Sequence, residues 1–544
     1  MTAARSDFGR NYGRSMVISQ QGIVATSHAL ASQAGAQILA GGGSAVDAAI
    51  AANVMLGLVE PMMDGIGGDL FALYWDAKTK TLTGLNSSGP APRALSPEYL
   101  AARGHSTMPI AGIHTVTVPG AVAGWAKMHE RFGKVKWSRL FEAGIACAED
   151  GFPVTEAMAE QWGAPVSFER LAMHAPAARL FHPDNRPYRE GEIFVNRELG
   201  AAYRVLAQGG PRTFYEGEIA QSILLTSREL GGTLSEEDLA RFSPEWVEPI
   251  SIDYRGWKIY ELPPNGQGMA ALEMLNIMET APPVPDGPFV PAEIHKRIEA
   301  MKLAYADVYR YCADPRASQV PVAILLSKEY ARERASLLDP ARANGAVSCG
   351  NVIGSDTVYL AVVDREGNIA SWIQSIYSNF GSGIAVRGFA LQNRGACFTL
   401  DPTHPNVLAG GKRPFHTIIP GFMDRGDQHI GFGIMGGPNQ PLAHAQFVSN
   451  LVDYGMNIQQ ALESPRFTRS TSTGCDTLIE SRVPAATLEK LSAMGHELFV
   501  RREYTQEMGR GQAVLHDSRT RVNYAASDPR ADGAATPEPI RSRS

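Results

Sequence analysis

The hydrophobic pattern alternates between stretches that are apolar nearly all round and small, glycine-rich breaks. An Ala-rich stretch after Ser27 closes at Gly41-Gly42-Gly43, which predicts one helix. Ser44 with Asp47 three residues on predicts the capping-box start of a second, within a unit ending at Pro61. The run Ala45 to Ala52 has almost no polar face, so that second helix is expected to be buried. The glycine loop Glu60 to Asp69 then leads into a short strand, Leu70 to Trp75. Helical segments are expected from Pro119 to about Leu206, while Pro263 to Gly266 and Pro282 to Pro291 read as loops.

The pattern changes near residue 345. A small, polar arm from Asn344 to Ser355 feeds the apolar run Asp356 to Asp364. Arg365-Glu366-Gly367-Asn368 supplies a turn, and Ile369 to Ile376 returns as a second strand. The apolar residues of this hairpin are too continuous for a sheet with one wet face, so both faces should be covered. Further strands are expected at Gly388 to Asn393 and His429 to Ile434, a helix from about Ala443 to Tyr454, and a hairpin from Ala513 to Ala526 turning at Asp517-Ser518. The tail beyond Asp532 reads as disordered. Helical layers flanking stacked, mainly antiparallel strands make an α+β sandwich the natural architecture.

Composition narrows the function. The 544 residues carry a formal charge of −6, which argues against nucleic acid or anionic membrane as partners and leaves small molecules. Cys147, Cys312, Cys349, Cys397 and Cys475 are an odd, scattered set without a CxxC pair, which fits neither a disulfide framework nor a zinc knuckle. The N-terminus has no apolar h-region, and no later stretch reaches the roughly 18 apolar residues of a spanning helix. A soluble, cytoplasmic protein is expected.

Stock motifs fail one by one. Gly431 to Gly436 formally spells GxGxxG after a strand, with Asp453 downstream, but Pro438 and Pro441 fall where a phosphate-binding helix should be established. That turn is either plain structure or a pair of backbone N–H groups for an oxyanion. No HExxH occurs, and His404, His416, His429 and His444 lack ligand spacing, so neither metal nor cofactor is expected. A GxSxG elbow is absent, and a lone Cys397 is more often a buried hydrophobe than a nucleophile. Thr357 remains, at the seam between arm and strand. Its hydroxyl needs a base beside it, and cleavage between Asp356 and Thr357 would create one, the α-amino group of Thr357 itself. Without that cut, Thr357 is an ordinary β-former.

Ordered segments then carry a resemblance over nearly the whole chain: GGGSAVDAAIAANVMLGLVEP, DGIGGDLF, TVPGAVAGW, DTVYLAVVD, SNFGSG, GKRPFHTIIP, IMGGPNQ and ASDPR. These resemble the gamma-glutamyltranspeptidase superfamily of N-terminal-nucleophile hydrolases. The resemblance implies a four-layer αββα sandwich made as a precursor that cuts itself, here into a heavy chain 1–356 and a light chain 357–544 that stay together. It implies Thr357 as nucleophile, Gly436 and Gly437 as oxyanion donors, and Ser375 as the hydroxyl that orients Thr357. Ser375 also reads as a strand hydroxyl bonded to backbone.

Substrate recognition departs from the family pattern. Where typical members hold the substrate's α-amino group with the acid of an NNxxDDF segment, this chain has Gln392-Asn393-Arg394-Gly395-Ala396-Cys397-Phe398. The arginine expected near Ser87-Ser88-Gly89 is missing, and the family's Ser-Ser after KRP is His416-Thr417. A pocket without the acid and with a guanidinium should favour a carboxylate over an ammonium. Arg394 is therefore the candidate clamp, or else a structural ion pair, with Asn393, Tyr377, Cys397, His416 and Thr417 as further candidate contacts. The pattern is similar to the branch that includes oxamate amidohydrolase. It implies an amidohydrolase acting on a small anionic amide, with a glutathione hydrolase and transferase, or an unprocessed binding protein of the same fold, as the alternatives.

Overall fold

Strands that are apolar on both faces need cover on both faces, and the structure meets that need with four layers. The computed structural model describes residues 12–347, 356–469 and 474–540. In chain order the main strands are β1 (Val17–Ser19), β2 (Ile23–Thr26), β3 (Asp69–Asp76), β4 (Thr81–Ser87), β5 (Glu245–Val247), β6 (Ile250–Tyr254) and β7 (Trp257–Glu261). They continue with β8 (Asp356–Val363), β9 (Ile369–Tyr377), β10 (Gly421–Arg425), β11 (Gln428–Met435), β12 (Arg510–Asp517), β13 (Val522–Ser527) and β14 (Ala534–Pro537). The helices that cover them include α1 (Ala29–Ala40), α2 (Ala45–Val59), α3 (Ala121–Phe132), α4 (Gly268–Glu279), α5 (Pro291–Tyr311) and α6 (Gln440–Val452).

Two seven-stranded sheets result, ordered β1-β13-β12-β11-β10-β7-β6 and β14-β2-β8-β9-β3-β4-β5. Each neighbouring pair is antiparallel. Side chains alternate between the two sides of the second sheet, as a period of two requires. Phe71, Leu73, Tyr359, Ala361 and Val363 meet Phe422 and Val514 of the other sheet. Leu70, Ala72, Val358, Leu360 and Val362 face the layer that contains α1, α2 and α3. On the far side, Met423, Ile430 and Phe432 pack with α4, α5 and α6. The expected α+β, four-layer αββα sandwich is the observed fold.

The predicted capping box is present, with Ser44 and Asp47 closing the start of α2, and every residue of that helix is buried. Burial extends to its polar group. Asn53 donates to Asp64 at 2.6 Å and accepts from Trp372 Nε1 at 2.7 Å, while Gln374 donates to Asp64 at 2.7 Å. These bonds tie the DGIGGD loop to the outer face of β9. Burial pushes the Asp64 carboxyl up to about 8, against the pull of its hydrogen bonds.

Three expectations are corrected. The strand expected over Gly388 to Asn393 is only the pair Phe389–Ala390, because the Gln392 and Asn393 side chains bond outward to Asp69 and Ser378, and a 3-10 turn follows at Arg394–Cys397. The helix expected from Ala443 starts at Gln440, with Pro441 in its first turn, where a missing N–H costs nothing. The tail is ordered at Ala534–Pro537, which pairs with β2, and buried Glu538 accepts from Gly22 N–H at 3.1 Å and pairs with Arg365.

Gly68 shows how tightly the glycine loop is laid against the site strand. A methyl group there would sit 2.4 Å from the Ser375 carbonyl oxygen. Gly68→Ala is expected to destabilise by about 1–3 kcal/mol through overpacking, read as a lowered Tm; an unchanged Tm would contradict this close approach.

Candidate active site

Thr357 lies at the head of β8, fully buried, and its hydroxyl donates to Ser375 Oγ at 3.2 Å. The pairing of β8 with β9 is irregular at this spot: Asp356 stands opposite Tyr377 while Val358 stands opposite Gln374, so β9 carries one extra residue. Tyr377 has φ of 82°, unusual for a non-glycine residue, and its N–H turns back to donate to Ser375 Oγ at 2.8 Å. Ser375 thus receives both the Thr357 hydroxyl and the Tyr377 amide. The segment just before Asp356, including Cys349, lies outside the described residues.

The glycine turn sits at the same end of the sandwich. A methyl on Gly431 would touch Ile369, and one on Gly433 would fall 2.4 Å from the Tyr359 ring. Following both strands two or three residues further brings β8 to Thr357 and β11 to Gly436. Gly436 has φ of 137° and Gly437 φ of 58°, values that favour glycine. The turn is braced from three sides. Gln267 donates to the Gly437 carbonyl at 2.9 Å, the Tyr305 hydroxyl bonds to the Pro438 carbonyl, and His444 accepts from Ile434 N–H at 3.1 Å. Because Nε2 of His444 accepts, its proton sits on Nδ1 and reaches Glu261 at 2.7 Å. Burial keeps that imidazole neutral, with its pKa lowered to about 3.

A pocket of about 600 Å³ opens beside this turn, lined among others by Tyr377, Cys397, Thr417, Pro438, Tyr309 and Phe415. Arg394 stands behind the pocket wall, fully buried. Its Nη1 donates to Thr417 Oγ1 at 2.8 Å and its guanidinium carbon lies 4.4 Å from the centre of the Tyr377 ring. Its Nε and Nη2 meet no acceptor among the described residues. Asn393 behaves differently: both amide N–H groups are engaged, with Ile110 and Ser378 at 2.9 and 2.7 Å. Burial raises the Cys397 thiol, with Arg394 and Tyr377 pulling the other way, so this cysteine is a thiol rather than a nucleophilic thiolate. His416 is also fully buried; it accepts from Ile418 N–H on Nδ1 at 3.3 Å and donates from Nε2 to Asp69 at 3.1 Å. Burial, and then Arg394 and Arg413, hold it neutral.

Asp69 is the residue that sequence reasoning passed over. Its one signal was a single acid closing a glycine loop at the start of a strand. In the structure it stands opposite Ser375 in the sheet and accepts from Gly89 N–H, Gly120 N–H and Gln392 Nε2 at 3.1, 3.2 and 2.9 Å, besides His416.

The family model for gamma-glutamyltranspeptidase matches residues 31–538. The chain belongs to the gamma-glutamyltranspeptidase family. It is an enzyme, a hydrolase of the N-terminal nucleophile kind. A glutathione hydrolase-like YwrD proenzyme of Bacillus subtilis is 35% identical over 95% of this chain and 99% of its own length. An oxamate amidohydrolase proenzyme of Klebsiella pneumoniae is 31% identical, covering 95% and 98%. Among solved structures, the cephalosporin acylase of Bacillus halodurans is 40% identical with a TM-score of 0.90, covering 98% of this chain and 99% of that one.

For a family member two further points matter. Among the described residues no helix is long and apolar enough to cross a membrane. His295, Glu299 and His496 bring possible metal-ligand atoms within 4.8 Å of one another, but Lys302 already pairs with Glu299 at 2.6 Å and the two imidazoles bond to each other at 2.8 Å. Of the ring nitrogens in that group, Nδ1 of His496 meets no partner among the described residues.

Replacing Ser375 by Ala removes the partner of both Thr357 and the Tyr377 amide. Amide turnover is expected to fall by roughly a hundredfold through misorientation of the nucleophile, with KM changed less than about twofold. Full turnover in Ser375→Ala would leave Ser375 a strand hydroxyl only.

Proposed function

We propose that the chain is a precursor that cuts itself before Thr357 and then hydrolyses the amide of a small, carboxylate-bearing substrate such as oxamate. The observation that carries the catalytic part is the buried Thr357 hydroxyl held at 3.2 Å from Ser375 Oγ, at the sandwich end where the Gly436-Gly437 turn lies.

In the first step Thr357 Oγ1 attacks the carbonyl carbon of Asp356. The peptide C–N bond breaks as an ester forms, which frees the α-amine of Thr357, and water then cleaves the ester to release the Asp356 α-carboxylate and the Thr357 hydroxyl. That amine, with an ordinary pKa of about 8, takes the hydroxyl proton in each later turnover. The hydroxyl oxygen attacks the substrate amide, and N–H groups of the glycine turn receive the oxyanion. The proton passes to the departing nitrogen, which leaves as ammonia or an amine. Water attacks the resulting ester by the same route in reverse, releasing the acid and restoring Thr357.

Arg394 supports the anionic part of this reading. A fully buried guanidinium with two nitrogens lacking acceptors is costly unless a ligand supplies them. A carboxylate reaching past Tyr377 and Thr417 would do so in the bidentate manner that suits arginine. Cys397, standing where the family's acid is expected, offers no charge to an α-ammonium. A second reading, glutathione hydrolysis, draws support from Asp401, an exposed carboxylate on the pocket wall.

Ammonia release from oxamate, set against glutamate release from glutathione in the same purified sample, separates the two. Ammonia from oxamate with little glutamate is expected; glutamate release as the faster reaction would overturn the anionic-amide reading. Arg394→Gln is expected to lower kcat/KM on the anionic amide by about 1.5–3 kcal/mol, roughly ten- to a hundredfold, mainly through KM.

A further inference from the structure

We propose that Asp69 is a proton-linked positioning residue of the carboxylate site, competing with the substrate's carboxylate for the field of Arg394 and taking up one proton when an anion binds. The inference rests on the reading of Arg394 given above and adds a regulatory property to it.

Asp69 is fully buried at the start of β3, and its hydrogen-bond partners come from four different segments. Gly89 and Gly120 supply backbone N–H groups, Gln392 an amide, and His416 its Nε2–H. The charged and titratable groups that face it are Arg394, the neutral His416, the Cys397 thiol and the Tyr215 phenol. Arg394 is the one permanent cation in that set. Its counter-charge is Asp69, yet the two make no direct hydrogen bond, since Nη1 goes to Thr417 and the other nitrogens meet no acceptor.

This arrangement is balanced when empty: one guanidinium, one carboxylate. An arriving carboxylate puts two negative charges beside one positive charge in a dry site, where Coulomb repulsion is strong. Moving the anion away is one remedy, and placing a proton on Asp69 is the other. Burial already brings the Asp69 carboxyl up to about 7, with Arg394 holding it down. An anion that engages Arg394 weakens that restraint and adds its own repulsion, so the carboxyl rises further and binds a proton from solvent. Oδ2 is the natural place for it, since Oδ2 carries one hydrogen bond and Oδ1 three.

Below about pH 7 Asp69 is already protonated and the guanidinium is unopposed, so anions bind most tightly there. Above it, each anion must bring a proton with it, and affinity falls as pH rises. The Gly89 and Gly120 bonds come from the predicted heavy chain and those of Gln392 and His416 from the light chain, so the same carboxyl also sets the His416-Thr417 wall against Arg394.

Oxalate, a carboxylate that the enzyme cannot hydrolyse, is the probe. Its binding to the purified wild-type protein is measured by calorimetry at pH 6 and 8.5, and at pH 8 in two buffers of different ionisation enthalpy. The wild type is expected to weaken by about tenfold or more between the two pH values and to take up close to one proton at pH 8. Asp69→Asn should bind with a pH dependence at least about threefold smaller than the wild type and lose most of the uptake, the remainder belonging to the Thr357 amine, while His404→Gln, which removes the imidazole on the pocket wall, should keep both effects. Binding without proton uptake in the wild type, or uptake that is undiminished in Asp69→Asn or vanishes in His404→Gln, overturns the role of Asp69 and leaves the carboxylate reading intact. No oxalate binding at any pH overturns the carboxylate reading itself, and this inference with it.

Discussion

The bond from the Thr357 hydroxyl to Ser375 is the contact on which the site depends: carried one step past Val358 and Gln374, the regular register of β8 and β9 sets the two residues opposite each other, and the extra residue on β9 follows immediately. Here the extra residue and the left-handed Tyr377 fold the Tyr377 amide back on Ser375, which fixes the acceptor before the nucleophile arrives. Everything around the hairpin serves to keep that irregularity in place. Gly68 presses its loop against the Ser375 carbonyl, and the Asp64 cluster locks Gln374 and Trp372 on the helix side.

Such a site is polar inside a dry sandwich, and its polar groups are handled in two ways. Some are neutral groups bonded in pairs, as in the His444 and Glu261 pair beneath the glycine turn, where burial keeps both uncharged and the Ile434 amide dictates which imidazole nitrogen bears the proton. Others are charges held by several donors, as with Asp69. The contrast matters for function. A neutral matched pair adds rigidity, whereas a buried carboxylate beside an arginine with open donors leaves the local charge balance to be completed by whatever binds.

Much of this was legible in the sequence because it is local. The capping box at Ser44, the burial of α2, the hairpin from Asp356 to Ile376 and the glycine turn each depend on residues a few positions apart. The misjudged elements depend on distant partners. Residues 534–537 form a strand only because β2 offers an open edge, and Gln392 leaves the expected strand because Asp69 accepts its amide. Asp69 itself was unreadable for the same reason, since its four partners lie 20, 51, 323 and 347 positions away. The burial of Arg394 was likewise hidden: a pattern of residue types can announce a new positive charge, but not that the charge stands behind the pocket wall with two nitrogens unmatched.

The claim that organises all of this is that Thr357 becomes the first residue of a separate chain. Intact mass of the purified wild-type protein, combined with N-terminal sequencing of its fragments, tests it most directly. The account predicts two fragments, residues 1–356 and 357–544, the second beginning Thr-Val-Tyr-Leu. A single full-length chain, or a cut that leaves Thr357 inside a fragment, would contradict it.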